Sequence, residues 1–225
     1  ADEHREVRQV AVLDARGGVA AHTGSQTIPE AGHVVGDGFS CQANMMWRDT
    51  VWDAMATAFA ASRGALAGRL LVALEAAEAE GGDVRGKQAA RLLVVPAEAT
   101  AEPWKDVRVD LRLDDHPEPL PELRRLLDLH RAYERMSASE EAQTEGDRER
   151  ADREAAEAFR LAGTSEELAF WRAIGLANAG RVEEARAIAA IAFDRYPGWA
   201  ELLRRLAARG LADVTPETLA RLLPG

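Results

Sequence analysis

Residues 107–113 read Val-Arg-Val-Asp-Leu-Arg-Leu, alternating apolar and charged. A period of two makes a half-buried strand, with Val107, Val109, Leu111 and Leu113 on one face. The alternation stops at Asp114, Asp115, His116 and Pro117. Pro117 has no N–H to give a ladder, so the strand must end there. Glu118, Pro119, Pro121 and Glu122 follow, acids and prolines that a first helical turn accepts. The chain is thus forced from strand into helix within a few residues, and three ionisable side chains gather at the junction. Two readings of that junction stand. Asp115 caps the helix while His116 bonds a turn, or the carboxylate and imidazole belong to a site.

The preceding residues supply the partners such a strand needs. Residues 7–13 form a strand, 14–18 a glycine turn, and 19–23 pair back as a hairpin. Residues 24–38 are glycine-rich, with a strand-like His33-Val34-Val35, and 39–44 are again extended. Val51, Trp52, Met55 and Phe59 recur at helical spacing. Leu66, Leu70, Leu71 and Leu74 mark a second helix over 64–80, closed by Gly81-Gly82. Residues 89–95 form another strand, and 96–103 a polar excursion. Leu120, Leu123, Leu127 and Leu129 place a helix over 118–136. Hairpins separated by paired helices define an α+β layer with mainly antiparallel sheets rather than βαβ units. One sheet face needs a cover, and a homodimer in which a second copy supplies it is one expectation.

Beyond residue 136 the character changes. Residues 140–157 hold eight acids against three arginines and little that is apolar except alanine, so 137–159 reads as a solvated helix or a linker. Residues 160–225 read as an all-helical domain. Phe170, Trp171, Ile174 and Leu176 lie on its first helix, 182–196 is the second, 199–208 the third, and Thr215-Pro216 opens a last one. The spacing resembles one tetratricopeptide-type helical hairpin. Its aromatic residues, Phe170, Trp171, Phe193, Tyr196 and Trp199, are expected in its core. The expected organisation is 1–136, 137–159 and 160–225.

A net charge of -10 argues against a nucleic-acid partner and an anionic membrane surface. A single cysteine, Cys41, permits no internal disulfide. The expectation is a cytoplasmic protein with no membrane span. No Walker loop, GxGxxG, HxxxH or CxxC spacing occurs, so neither a cofactor nor a metal is expected.

Five short motifs fall in a familiar order: Thr23-Gly24; Ala31-Gly32-His33; Gln42 and Asn44; Gly81-Gly82-Asp83 with Arg85-Gly86 and Gln88; and Asp110-Leu111-Arg112 with Asp114-Asp115-His116. Over residues 4–131 they resemble the bacterial family called domain of unknown function 1028, of the N-terminal-nucleophile (Ntn) hydrolase superfamily. Residues 160–212 resemble a helical module often appended to it and labelled peptidoglycan-binding. The resemblance implies an αββα sandwich, present here in part. It also implies hydrolysis of amide (C–N) bonds by an amino-terminal Thr, Ser or Cys whose own α-amine acts as base. Ala1 has no such side chain, so the chain by itself is expected to be inactive. It departs from the family pattern at Glu30, where Trp is usual, and at Ala89, where Ser is usual.

Asn44, Asp115 and His116 are the candidate catalytic residues. An Asn amide can hold a tetrahedral oxyanion, though Asn44 could equally cap a helix starting near Trp47. Asp115 could orient His116 if a turn redirects one of the two. His33, Asp83, Lys87 and Gln88 are the candidate substrate-binding residues, the last three on a glycine-bounded turn. Cys41, in a strand-like run, reads as a small buried residue. The expected partner is a small amide substrate or a peptidoglycan fragment. The competing expectation is a non-catalytic binding protein whose helical module docks peptidoglycan or a protein.

Overall fold

The computed structural model describes residues 2–98, 101–102, 104–163, 165–212 and 214–223. Ala1 and the end of the polar excursion at Pro103 lie outside them. The chain divides into two compact units, Ala1–Leu127 and Asp128–Gly225.

In the first unit a single 3-10 turn, Arg5–Val7, leads into strands β1 (Gln9–Leu13) and β2 (Val19–Thr23). Then come β3 (Gly32–Gly36), β4 (Phe39–Ala43), helices α1 (Val51–Ala61) and α2 (Leu66–Ala79), and strands β5 (Ala90–Val94) and β6 (Val109–Leu113). Among the described residues the strands form three two-stranded antiparallel sheets, each pairing chain neighbours. The class is α+β with short antiparallel sheets.

The alternation builds the core over Val109–Leu113, while Val107, expected on the same face, lies before the strand and is exposed. Val109 is buried and Leu111 and Leu113 half-buried, while Asp110 and Arg112 face outward. Leu92 of β5 stands opposite Leu111, and these join Ala67 and Leu71 of α2 with Leu123 and Leu127 in one apolar cluster. Arg91 and Asp110 pair on the solvent face at 3.0 Å. The β3–β4 hairpin packs on α1 through Phe39 and Phe59, whose ring centroids lie 4.8 Å apart. β1 behaves differently. Its half-buried positions are Gln9 and Ala11, and Val10, Val12 and Leu13 are exposed.

Helix α3 (Pro119–Glu145) is longer than leucine spacing predicts and runs from the first unit into the second. A turn at Gly146, with φ of +83°, leads into α4 (Arg148–Ala162). Of the two forms open to residues 137–159, they take the helical one. The rest of the second unit is α5 (Glu166–Asn178), α6 (Val182–Arg195), α7 (Gly198–Ala208) and α8 (Pro216–Leu222). Its core gathers Phe170, Ile174, Leu176, Ala185, Ala192 and Leu203, with Phe193 and Trp199 packed alongside. Trp171 and Tyr196 depart from the expected aromatic core, being 41% and 63% exposed. Among the described residues no helix is long and apolar enough to cross a membrane.

Candidate functional site

The seven candidate residues all lie in the first unit, and they fall into three groups. The first is a polar knot where β1, β2, β3 and β4 meet. Gln9 opens β1 on its half-buried face, and Asn44 directly follows β4. Gln9 Nε2 donates to Thr23 Oγ1 at 3.1 Å, to Gly32 O at 3.1 Å and to Ala43 O at 2.9 Å. Its Oε1 accepts from Asn44 Nδ2 at 2.8 Å. Thr23 Oγ1 lies 2.8 Å from His33 Nδ1. Asn44 is therefore no helix cap: α1 starts at Val51, behind Thr50. Its amide has a second N–H that finds no partner among the described residues. Met45 beside it has φ of +57°, a left-handed conformation that a non-glycine residue adopts at a cost.

The second group is the turn after α2. Gly81 and Gly82 both have positive φ, 114° and 64°, as a helix C-terminus needs. Asp83 is held by Arg85 at 2.6 Å, and this hydrogen bond keeps its carboxyl below the ordinary range. Backbone bonds from Trp47 N to Gly82 O and from Val84 N to Met45 O tie this turn to the chain just after Asn44. Asp83 serves the turn and has little capacity left for a ligand.

The third group surrounds the strand-to-helix junction. Gln88 Nε2 donates to Asp115 Oδ1 at 3.3 Å, and His116 N donates to Gln88 O at 2.9 Å. Glu118 N donates to His116 Nδ1 at 3.0 Å. His116, rather than Asp115, thus receives the backbone donor at the start of α3. Among the described residues Asp115 and His116 share no hydrogen bond. Lys87 is bound to Glu118 at 2.6 Å and lies 3.5 Å from Glu78, and the Glu118 bond raises its pKa. Among the described residues no side-chain hydrogen bond runs from a candidate residue of one group to a candidate residue of another.

Cys41 is buried, and that burial pushes its thiol pKa up. A protonated, inaccessible thiol is a poor nucleophile. Among the described residues no three His, Cys, Asp or Glu side chains converge as a metal would require. Sequence reasoning passed over Gln9, on which the first group depends. One signal for it existed, a carboxamide at an inward position of an otherwise apolar strand.

An α+β unit of antiparallel hairpins under helices, with a polar knot at the hairpin ends, followed by a helical unit, is the class of protein described. The chain belongs to the family of unknown function DUF1028, whose model matches residues 1–123. It is 34% identical to a protein from Silicibacter pomeroyi whose crystal structure carries the same family model, with a TM-score of 0.46 over 56% of this chain and 53% of that one. The chain spans about half the length of that protein. No curated protein matches it.

Proposed function

We propose that the first unit is part of an Ntn-type amide hydrolase in which Asn44 helps to hold the oxyanion. The observation that carries this is the open second N–H of Asn44. Gln9 fixes the amide plane through Oε1 and is itself tied to two backbone carbonyls. A donor locked in advance costs no reorganisation when negative charge develops on a carbonyl oxygen, and one such donor contributes about 10²–10³ in kcat. His33, oriented by Thr23, is the substrate-positioning neighbour in the same knot. Asp115, His116, Lys87 and Gln88 belong to the strand-to-helix junction, where Gln88 bonds Asp115 and Lys87 bonds Glu118. The nucleophile is not Cys41, whose burial raises its thiol pKa; this chemistry uses an amino-terminal hydroxyl or thiol whose own α-amine acts as base.

The test uses the product of the complete reading frame, assayed on a panel of N-acyl and small-peptide amides. Asn44→Ala should lower kcat about 10²–10³-fold with little change in KM. An unchanged kcat, or a wild-type protein that hydrolyses nothing on a broad panel, defeats the reading.

A second reading concerns the helical unit, as a binding module for peptidoglycan fragments or a protein partner. The exposed Trp171 beside a cavity in that unit favours it.

A further inference from the structure

The second unit contains a cavity of about 620 Å³ between the end of α3, α4 and α5. That volume is within the range of small-molecule sites, about 300–1,000 Å³. Small residues make the room: Ala151, Ala155, Gly175 and Ala179 line it and leave space where larger side chains would meet. The functional groups around them are unbalanced. Arg148, Arg172 and Arg181 line the cavity, with Asp152 as its one lining carboxylate.

That carboxylate is already taken. Arg181 Nη1 bonds both oxygens of Asp152, at 3.0 and 2.9 Å, while its Nε and Nη2 hold Glu184. Arg172 is half-buried and makes no hydrogen bond among the described residues; it feels Asp152 and Glu184 only at longer range. A guanidinium stays charged at any ordinary pH. One removed from much of its water without a hydrogen-bonding partner is an unmet electrostatic demand. Its planar fork of donors matches a carboxylate in two parallel bonds. Arg148 at the rim and the amide of Asn178 add further unpaired donors. Trp171 also lines the cavity; its indole packs edge-on to Phe170 at 5.1 Å and leaves much of its surface open. An inorganic ion would use neither that apolar wall nor most of the volume.

We propose that this cavity binds the free carboxylate end of a short peptide, with Arg172 as the anchor and Trp171 covering the adjoining residue. The proposal rests on the binding reading of the helical unit and is independent of the hydrolase reading.

Titration calorimetry on the 225-residue chain tests it, using N-acetyl-trialanine as the free acid and as the C-terminal amide. The free acid should bind at least about tenfold more tightly than the amide, the difference that hydrogen bonds to a charged group make. Arg172→Ala should remove that preference and Arg172→Lys restore part of it, with helical circular dichroism unchanged. Should Arg172→Ala fail to fold, the acid-to-amide ratio on the wild-type chain decides. Equal binding of acid and amide, no binding of either, or acetate binding as tightly as the peptide acid overturns the proposal. Retention on purified peptidoglycan separates the two layers. A chain that is retained but does not distinguish acid from amide keeps the binding reading and loses the carboxylate anchor.

Discussion

The carboxamide of Gln9 has two N–H groups and three acceptors within reach, the hydroxyl of Thr23 and the carbonyls of Gly32 and Ala43. Its oxygen meets a donor from Asn44. A carboxylate in its place cannot donate, and it would face two carbonyl oxygens. Gln9→Glu should therefore destabilise the first unit by about 1–3 kcal/mol at pH 7, the usual penalty for half-buried polar groups left unpaired. Protonation returns one O–H donor, so the deficit relative to the wild type should shrink as pH falls toward 4. Urea unfolding of both proteins at the two pH values measures this. A deficit independent of pH would mean that Gln9 acts by packing alone. Asn44 depends on the same carboxamide. Its lack of a capping role follows from α1 starting at Thr50–Val51, which local sequence could not locate, because Asn44 and Thr50 are both acceptable caps. Likewise, Asp115 and His116 were legible as a junction, but which of them receives the Glu118 N–H depends on the turn geometry.

At the scale of elements, the strands and leucine-marked helices were legible because alternation and 3.6-residue spacing are written in large apolar side chains. β6 takes Val109–Leu113 of the expected 107–113, and α2 takes Leu66–Ala79 of the expected 64–80. The end of α3 and all of α4 are different. Their buried face is alanine and serine: Ala142, Ala151 and Ala158 are buried, and Ser139 Oγ, also buried, donates to Ala151 O at 2.8 Å. Small side chains bring helices close but carry almost no hydropathy signal, so the acids around them dominate any reading of 137–159. The close approach has a consequence. Ser139→Leu enlarges a fully buried side chain and breaks the bond to Ala151 O. It should cost about 1–3 kcal/mol in the second unit, whereas Glu140→Leu on the exposed face should stay within about 0.5 kcal/mol. Thermal unfolding followed at 222 nm compares them. Equal, small effects would show that the segment is a solvated linker after all. The aromatic residues give a related lesson. Helical spacing puts Phe170, Phe193 and Trp199 in the core, but it cannot tell that Trp171, one residue past Phe170, points away from it.

For the whole molecule, the net charge of -10 and the local ion pairs act in opposite directions with pH. Arg85, Arg125, Arg160 and Arg181 hold the carboxyls of Asp83, Glu122, Glu157 and Glu184 below the ordinary range, each through a side-chain hydrogen bond. Glu6 is lowered too, first by the backbone N–H of Ser25. A carboxyl depressed in the folded chain binds its proton more readily once unfolded. Its stabilising contribution is therefore present above the ordinary carboxylate pKa, about 4, and is lost as pH falls through the depressed folded value. General repulsion among excess acids acts the other way, since mild acid relieves it. The balance predicts stability that holds or rises slightly from pH 7 to 5 and then falls between pH 4 and 3. Glu6, Asp83 and Glu122 lie in the first unit and Glu157 and Glu184 in the second, so both should respond in the same sense. Urea midpoints at pH 7, 5 and 3 measure the response, with near-ultraviolet and far-ultraviolet signals recorded together. A midpoint that keeps rising to pH 3 would show that relief of repulsion outweighs the pairs. A fall in the near-ultraviolet signal alone would show that side-chain packing is lost before the helices are.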